Sequence, residues 1–301
     1  MAQGIVMREA HFPGRAPIEA YGNGGFRFAD MSHRGSLLCL PSGIYGWQPA
    51  DPAALVAEDF ARLFAEAASV RDRARQALPG EIRLQWWRDA IAKGEAQGHP
   101  LAESLLAAIR EYDLPRKAFD DYLEARIFDL YDDPMPGRAE LEGYCGETAS
   151  ALIQLACLVL GRQAAPVAAD AAGHGGCAQA ITGLLRSLPR DRARGQCYVP
   201  GDLLAAAGTT AEDFVAGRNQ PAARRAVAAM AALAAEHMGK FETRAPAIEP
   251  ALRPAFLPLA TTRAYLAKLG RGGFDALTAS ADVSALRRHW LIFRRASNGW
   301  S

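Results

Sequence analysis

The sequence predicts a mainly α-helical protein that is preceded by a short strand-rich segment. From about residue 69 onward, apolar residues recur at helical spacing and no alternating strand pattern competes. Helix-ending residues such as Pro134, Gly161 and Gly270 follow these periodic stretches. Before residue 50, short apolar runs are instead separated by Gly and Pro. We therefore expect two parts, residues 1–68 and residues 69–301.

The first part contains three candidate strands and one candidate helix. Alternation or a compact apolar run predicts strands at 26–28, 37–40 and 44–47. Asp51 and Pro52 then predict the start of a helix, because Asp suits the N-cap and Pro suits the first helical position.

The second part consists of helices with recognisable boundaries. They are predicted at 81–93, 101–112, 117–131, 142–160, 173–188, 200–207, 221–242, 251–269 and 282–296. Thr210 and Asp213 form a capping box ahead of a short helical turn. The 142–160 helix has almost no polar face, which predicts a central position.

Composition narrows the function classes. The 301 residues carry a formal net charge of +1, which lacks the basic excess of a nucleic-acid-binding protein. Five cysteines, without a C-x-x-C pair, indicate reduced thiols in a cytoplasmic protein. No run of about 18 uninterrupted apolar residues and no signal-peptide pattern is present, so we expect any membrane contact to be peripheral.

The most informative stretch covers residues 178–191 and 194–200. It resembles the second signature of the squalene/phytoene synthase family, in which two Asp four residues apart hold Mg²⁺ against a substrate diphosphate. Ser187 stands at the first of these Asp positions, Arg190 stands at a Glu position, and only Asp191 keeps its carboxylate. Residues 78–89 and 122–136 also resemble this family, in the family's order.

The resemblance implies an isoprenoid-synthase-type helical bundle over residues 69–301. Catalytic members bind prenyl diphosphates in a central cavity and condense them head-to-head with Mg²⁺. The first Asp-rich motif of the family would precede Pro79, where only residues 69–78 remain of its N-terminal helices. The chain is most similar to a branch that looks non-catalytic and is related to a respiratory complex I assembly factor. Mg²⁺ is therefore expected only if the chain is an active enzyme.

Two functional hypotheses follow from this resemblance. In the first, the protein binds a prenyl diphosphate or another lipid without turnover and acts in respiratory complex assembly. In the second, it is a prenyltransferase whose metal site is rebuilt from Asp191, Asp129, Asp132 and Asp133. The last three residues have helical spacing that brings their carboxylates together, although a solvated acidic helix end gives the same pattern.

A different resemblance covers the first part. Residues 20–28 and 31–38 are similar to the opening of a small, largely uncharacterised α/β domain family that also includes a complex I assembly factor. The likeness stops near Ala68, which implies an incomplete α/β fragment. Our hypothesis is a fusion in which both parts are truncated at the junction.

Several residues are candidates for substrate binding. Arg83 beside Trp86 would place a diphosphate-binding guanidinium next to an aromatic wall, although a core Trp with a paired Arg explains the same residues. The other candidates belong to the signature segment. They are Gln179, Arg186, Asp191, Arg194 and Tyr198.

The last predicted helix combines arginines with a large apolar run. Arg287, Arg288, Arg294 and Arg295 flank residues 290–293. Packing of the apolar run onto the bundle, with the arginines in water, is the simpler interpretation. The alternative is an interfacial helix that lies on a membrane surface, peripherally at the inner membrane.

Overall fold

The N-terminal strands form two small antiparallel sheets. The computed structural model describes residues 18–22, 25–28, 31–34, 36–40, 43–47 and 77–298. Strands β1 (Ile18–Gly22), β2 (Gly25–Phe28) and β3 (Met31–Arg34) pair in that order, and β4 (Ser36–Leu40) pairs with β5 (Gly43–Trp47). Strands β2, β4 and β5 lie where the sequence predicts strands. The helix predicted at Asp51 and the boundary near residue 68 lie outside the described residues and stay predictions.

The chain from residue 77 to residue 298 is helical. Its α-helices are α1 (Ala77–Lys93), α2 (Pro100–Glu111), α3 (Arg116–Ala125), α4 (Arg138–Cys145), α5 (Ala151–Gly161), α6 (Ala165–Ala193), α7 (Gly201–Ala207), α8 (Ala211–Val215), α9 (Gln220–Arg244), α10 (Thr262–Leu269) and α11 (Ala285–Asn298). Short 3₁₀ turns occur at Phe128–Leu130 and Ala245–Ala247, a 3₁₀ helix covers Pro250–Thr261, and a π-helical turn covers Gly146–Ser150. The Thr210 capping box is confirmed, since Thr210 Oγ1 accepts a hydrogen bond from the Asp213 N–H at 3.1 Å.

Helix α6 is the centre of the helical body. It packs along α9 on one side and against α5 and the π-helical turn on the other. The close approach requires glycine, because a Cβ at Gly176 would lie 2.4 Å from the backbone of Ser150. A Cβ at Gly175 would lie 2.6 Å from Leu259 Cδ1. Two glycines thus let α6 contact neighbours on both sides.

Three hydrophobic clusters surround this arrangement. The largest joins α4, α6, α7 and α9, with Ile181 and Leu185 completely buried. The next lies among α1, α2 and α3 around Trp87 and Phe119. The last joins α6, α9 and the long 3₁₀ helix, where the rings of Phe241 and Phe256 stack at 5.7 Å. The interior around α6 is therefore filled largely by apolar side chains.

Several predicted helix boundaries are wrong for identifiable reasons. The helix predicted at 117–131 ends at Ala125, and the following 3₁₀ turn directs Asp129 inward. The first half of the helix predicted at 251–269 is 3₁₀, because Pro254 and Pro258 lack the N–H groups that an α-helix needs. Helix α6 is longer than the predicted 173–188, since packing stabilises its glycine-rich part.

The segment Arg138–Gly161 meets the length and composition of a membrane-spanning helix. In its most apolar window, 39% of the residues are buried inside the protein. A core helix of a bundle meets the same criteria, so the length and composition of this segment are only weak evidence for a membrane span. Within residues 138–161 the chain also contacts α6 and the long 3₁₀ helix, as the prediction of a central position requires.

Candidate functional site

The carboxylate of Asp129 accepts hydrogen bonds from three side chains. The Tyr198 hydroxyl donates to Oδ1 at 2.7 Å, and the Tyr144 hydroxyl donates to the same oxygen at 2.9 Å. The Arg126 guanidinium donates to Oδ2 at 2.9 Å. Asp129 is only 9% exposed. Both carboxylate oxygens are thus occupied by donors from the protein itself.

The protonation of these donors matches their roles. Burial raises the pKa of Tyr144 and that of Tyr198, and the negative charge of Asp129 raises both further. The two phenols therefore stay protonated and remain donors. Burial lowers the pKa of Arg126, but Tyr144, Tyr122 and Asp129 outweigh it and raise this pKa above its usual value. Arg126 stays charged, so the Asp129 carboxylate has a buried cation beside it.

Aromatic rings hold the network in place. The ring centroids of Tyr144 and Tyr198 lie 6.1 Å apart, and Phe128 lies 6.1 Å from the first and 5.8 Å from the second. The Arg126 guanidinium carbon lies 5.0 Å from the Tyr122 ring centroid. Rings packed on each other restrict the rotamers of both tyrosines, so their hydroxyls stay directed at Asp129.

Asp191, the surviving carboxylate of the signature, is in a different environment. Asp191 is 7% exposed, and Arg190 Nε donates a hydrogen bond to Asp191 Oδ1 at 3.1 Å. Burial raises the pKa of the Asp191 carboxyl. The positive charges of Arg190 and Arg194 lower this pKa, and the negative charge of Asp129 raises it, so that the net shift is upward.

The four predicted metal ligands do not form one cluster. Asp129 and Asp191 are buried, whereas Asp132 and Asp133 are exposed. Helix α3 ends at Ala125, so the three acidic residues after it do not stack on one helix face. In the described part of the chain, no group of three or more His, Cys, Asp or Glu is placed to hold a metal ion. These residues do not fit a Mg²⁺ cluster, which takes about six oxygen ligands per ion.

The predicted substrate-binding arginines are spread over the helical body, and Arg194 lies near enough to Asp191 to lower its pKa. Arg186 pairs with Asp282, and its guanidinium carbon stacks 3.9 Å from the Tyr265 ring centroid. Its Nε is buried without a hydrogen-bond partner. Arg83 on α1 and Arg194 after α6 are exposed.

The remaining candidates are positioned by packing. Trp86 donates from Nε1 to Gln97 Oε1 at 3.1 Å and contacts Trp87 edge-on at 5.0 Å. Trp87 is buried, and the neighbouring Arg88 pairs with Asp120 at 2.7 Å. Gln179 is half-buried on α6. Among the signature candidates, the structure therefore brings Tyr198 and Asp191 towards Asp129.

Two members of the network were not predicted from sequence, namely Arg126 and Tyr144. A signal for Arg126 exists, because it follows Phe119 and Tyr122 at helical spacing and so belongs to the apolar face of α3. A charged residue on an apolar face indicates a buried ion pair. Tyr144 has no comparable signal, since a tyrosine is ordinary on a half-buried helix.

A second polar cluster lines a cavity of about 430 Å³ between α4, α6 and α9. His174 Nδ1 and His237 Nδ1 lie 3.0 Å apart, and His237 Nε2 lies 3.0 Å from Glu142 Oε1. Arg138 donates to the same Glu142 oxygen at 3.1 Å. The cavity thus has groups of both charges on its wall, and these groups pair with one another.

We predict effects of different size from amide substitution at the two buried aspartates. Asp129→Asn replaces one acceptor oxygen with an NH₂ group that faces the donors Arg126, Tyr144 and Tyr198. The substitution leaves Arg126 as a buried charge without its partner and should lower the free energy of unfolding by about 3 kcal/mol. Asp191→Asn should cost less, because Asp191 accepts a hydrogen bond from the adjacent Arg190, and because burial raises its pKa, so the carboxylate is less favourable in the folded protein than in water. A carboxyl with a raised pKa in the folded state loses stability as pH rises from the unfolded value, about 3.9, through the folded value. Asp191→Asn should remove that loss.

Urea unfolding of both variants over a pH series measures this difference. Equal destabilisation by the two substitutions would contradict our assignment of the two environments.

The fold and sequence have known counterparts. A dehydrosqualene synthase solved with a ligand superimposes with a TM-score of 0.65 at 18% identity, covering 82% of this chain and 87% of that one. A squalene synthase from Alicyclobacillus acidocaldarius gives 0.58 at 21% identity, covering 73% and 83%. These likenesses show a shared fold, the isoprenoid synthase bundle predicted from sequence.

The proteins that are similar to this chain in sequence include assembly factors and synthases. "NADH dehydrogenase (ubiquinone) complex I, assembly factor 6" from Rattus norvegicus is 34% identical over 218 residues, covering 70% of this chain. This chain spans 64% of the length of that relative. The phytoene synthase of Thermus thermophilus is 31% identical over 216 residues, covering 69% of this chain and 71% of that enzyme.

The family profile described as squalene/phytoene synthase matches residues 57–290, more than half of the chain. The match begins twelve residues before the predicted start of the second part. This chain belongs to the squalene/phytoene synthase family.

Proposed function

We propose that this protein binds a prenyl diphosphate or a related lipid without condensing it, and that it acts in the assembly of respiratory complex I. The observation that carries the proposal is the Asp129 carboxylate, whose oxygens are occupied by Tyr144, Tyr198 and Arg126. The names of the mammalian relatives support the assembly role. The fold supports a lipid ligand, since a dehydrosqualene synthase with this fold was solved with a ligand.

Loss of turnover follows from the chemistry of diphosphate departure. The leaving diphosphate has to be neutralised, and in this family metal ions held by several carboxylates do so. Of the acidic positions in the signature only Asp191 keeps a carboxylate, and Arg190 already pairs with it at 3.1 Å. To bind a metal ion, Asp129 would have to weaken its hydrogen bond with Arg126 at Oδ2 or those with the two tyrosines at Oδ1, and the ion would lie beside the charged Arg126. The cost of leaving buried donors without an acceptor opposes that exchange.

A Mg²⁺-dependent prenyltransferase is the alternative function. The 31% identity to a phytoene synthase favours it. Under this alternative, the metal site is rebuilt from Asp129, Asp132, Asp133 and Asp191, whose carboxylates would have to come together when the metal ion binds. The assembly proposal places the protein in the cytoplasm within reach of the inner membrane, whereas the enzyme needs no respiratory partner. The two functions therefore differ in their products and in their cellular effect.

We predict that the purified protein, incubated with farnesyl or geranylgeranyl diphosphate and Mg²⁺, releases no diphosphate above a protein-free control. Coupled phosphate detection and product extraction measure the two sides of the reaction. A Mg²⁺-dependent condensation product that disappears in Asp191→Asn would overturn the proposal and support the prenyltransferase. The same samples give the ligand's effect on the melting temperature, which should rise with ligand concentration if the protein binds without turnover.

A genetic prediction tests the assembly role. Deleting the gene in its host should lower the amount of assembled complex I, and the wild-type gene should restore it. Asp191→Asn should restore it equally well, because the substitution keeps the shape of the side chain and, under this proposal, Asp191 holds no metal ion. Asp129→Asn should restore less at equal expression, since it disrupts the buried network. Unchanged complex I in the deletion strain would refute the assembly role.

A further inference from the structure

Helix α11 leaves an apolar stripe exposed. Leu286, Trp290 and Phe293 are 86%, 56% and 70% exposed, and no residue of this helix is buried. Their spacing of four and then three residues places them on one face of the helix. The predicted packing of the apolar run onto the bundle is therefore only half correct, because just Leu291 and Ile292 are half-buried. Ile292 contacts the cluster that includes the long 3₁₀ helix.

The charge on this helix has one sign. Its four arginines are accompanied by neither Asp nor Glu within Ala285–Asn298. Arg287 and Arg294 fall at the edge of the exposed stripe by helical geometry. The guanidinium carbon of Arg294 lies 5.4 Å from the Trp290 ring centroid. A cationic edge thus borders the aromatic and aliphatic stripe.

This combination fits the surface of an anionic lipid bilayer. Apolar side chains of an interfacial helix enter the boundary between headgroups and acyl chains, and Trp favours that depth. Arginines at the edge stay at the level of the lipid phosphates, which attract them. A protein partner fits less well, because a stable interface buries about 800 Å² on each side. Three side chains of about 200 Å² each offer less than that.

We propose that α11 docks the protein peripherally on an anionic bilayer, with Leu286, Trp290 and Phe293 inserted and Arg287 and Arg294 against the headgroups. The helix would lie parallel to the membrane plane, with Leu291 and Ile292 still facing the bundle. This inference depends on α11 alone. It holds whether or not the protein binds or converts a prenyl diphosphate.

Vesicle co-sedimentation of the full-length protein tests the proposal. We expect binding to vesicles of phosphatidylcholine with phosphatidylglycerol, little binding to phosphatidylcholine alone, and weaker binding at high salt. The double substitution Arg287→Glu and Arg294→Glu should weaken partitioning at least about tenfold. Phe293→Ser should weaken it by removing an inserted ring, and Leu286→Ser provides a second apolar variant.

Matched controls come from other exposed positions. Arg110→Glu on α2 reverses the charge of an exposed arginine, and Val167→Ser on α6 removes an apolar side chain that is 68% exposed. Both should bind vesicles like the wild type. Thermal melting checks that every variant is folded.

Three results would overturn the proposal. The first is wild-type protein that does not sediment with anionic vesicles. The second is equal binding by the α11 variants and the controls. The third is a dimer in solution that Phe293→Ser dissociates, which would assign the stripe to a second copy of this chain.

Discussion

The buried carboxylate of Asp129 connects parts of the helical body that are distant in sequence. Arg126 follows α3, Tyr144 lies on α4, and Tyr198 lies beyond the end of α6. Hydrogen bonds are stronger in an interior of low dielectric, and an unpaired donor there is costly. The three donors therefore fix the end of α6 relative to α3 and α4. The same three bonds occupy the oxygens through which the carboxylate would bind a metal ion.

The substitutions in the signature are consistent with this arrangement. Ser187 and Arg190 replace acidic residues of the family pattern, and Arg190 instead donates a hydrogen bond to Asp191. With fewer carboxylates at the end of α6, Asp191 is buried beside Arg190. The fold is that of known synthases, but around Asp129 the carboxylate oxygens accept hydrogen bonds from the protein's own side chains. A shared fold does not by itself imply a shared reaction, since function depends on the site.

Sequence periodicity predicted most of the helical body, because apolar faces of helices repeat visibly. It did not predict the end of α3 at Ala125, which depends on directing Asp129 towards donors that come from α4 and the end of α6. The 3₁₀ helix at Pro250–Thr261 contains two internal prolines, a signal in the sequence that argues against a regular α-helix there. For α11, the pattern identified an apolar run but not which side the bundle covers. Contacts between residues that are distant in sequence decide where α3 ends and which side of α11 is covered. These contacts cannot be read from the periodicity of a single sequence.

The central claim is that the donors around Asp129 exclude a metal ion from the interior. Titration with Mn²⁺ in the presence of inorganic diphosphate, followed by electron paramagnetic resonance, tests it directly, because free and protein-bound Mn²⁺ give different signals. The account predicts that the free Mn²⁺ signal in wild-type protein equals that of a matched diphosphate solution without protein. Protein-bound Mn²⁺ in the wild type that is lost in Asp129→Asn or Asp191→Asn would contradict the account.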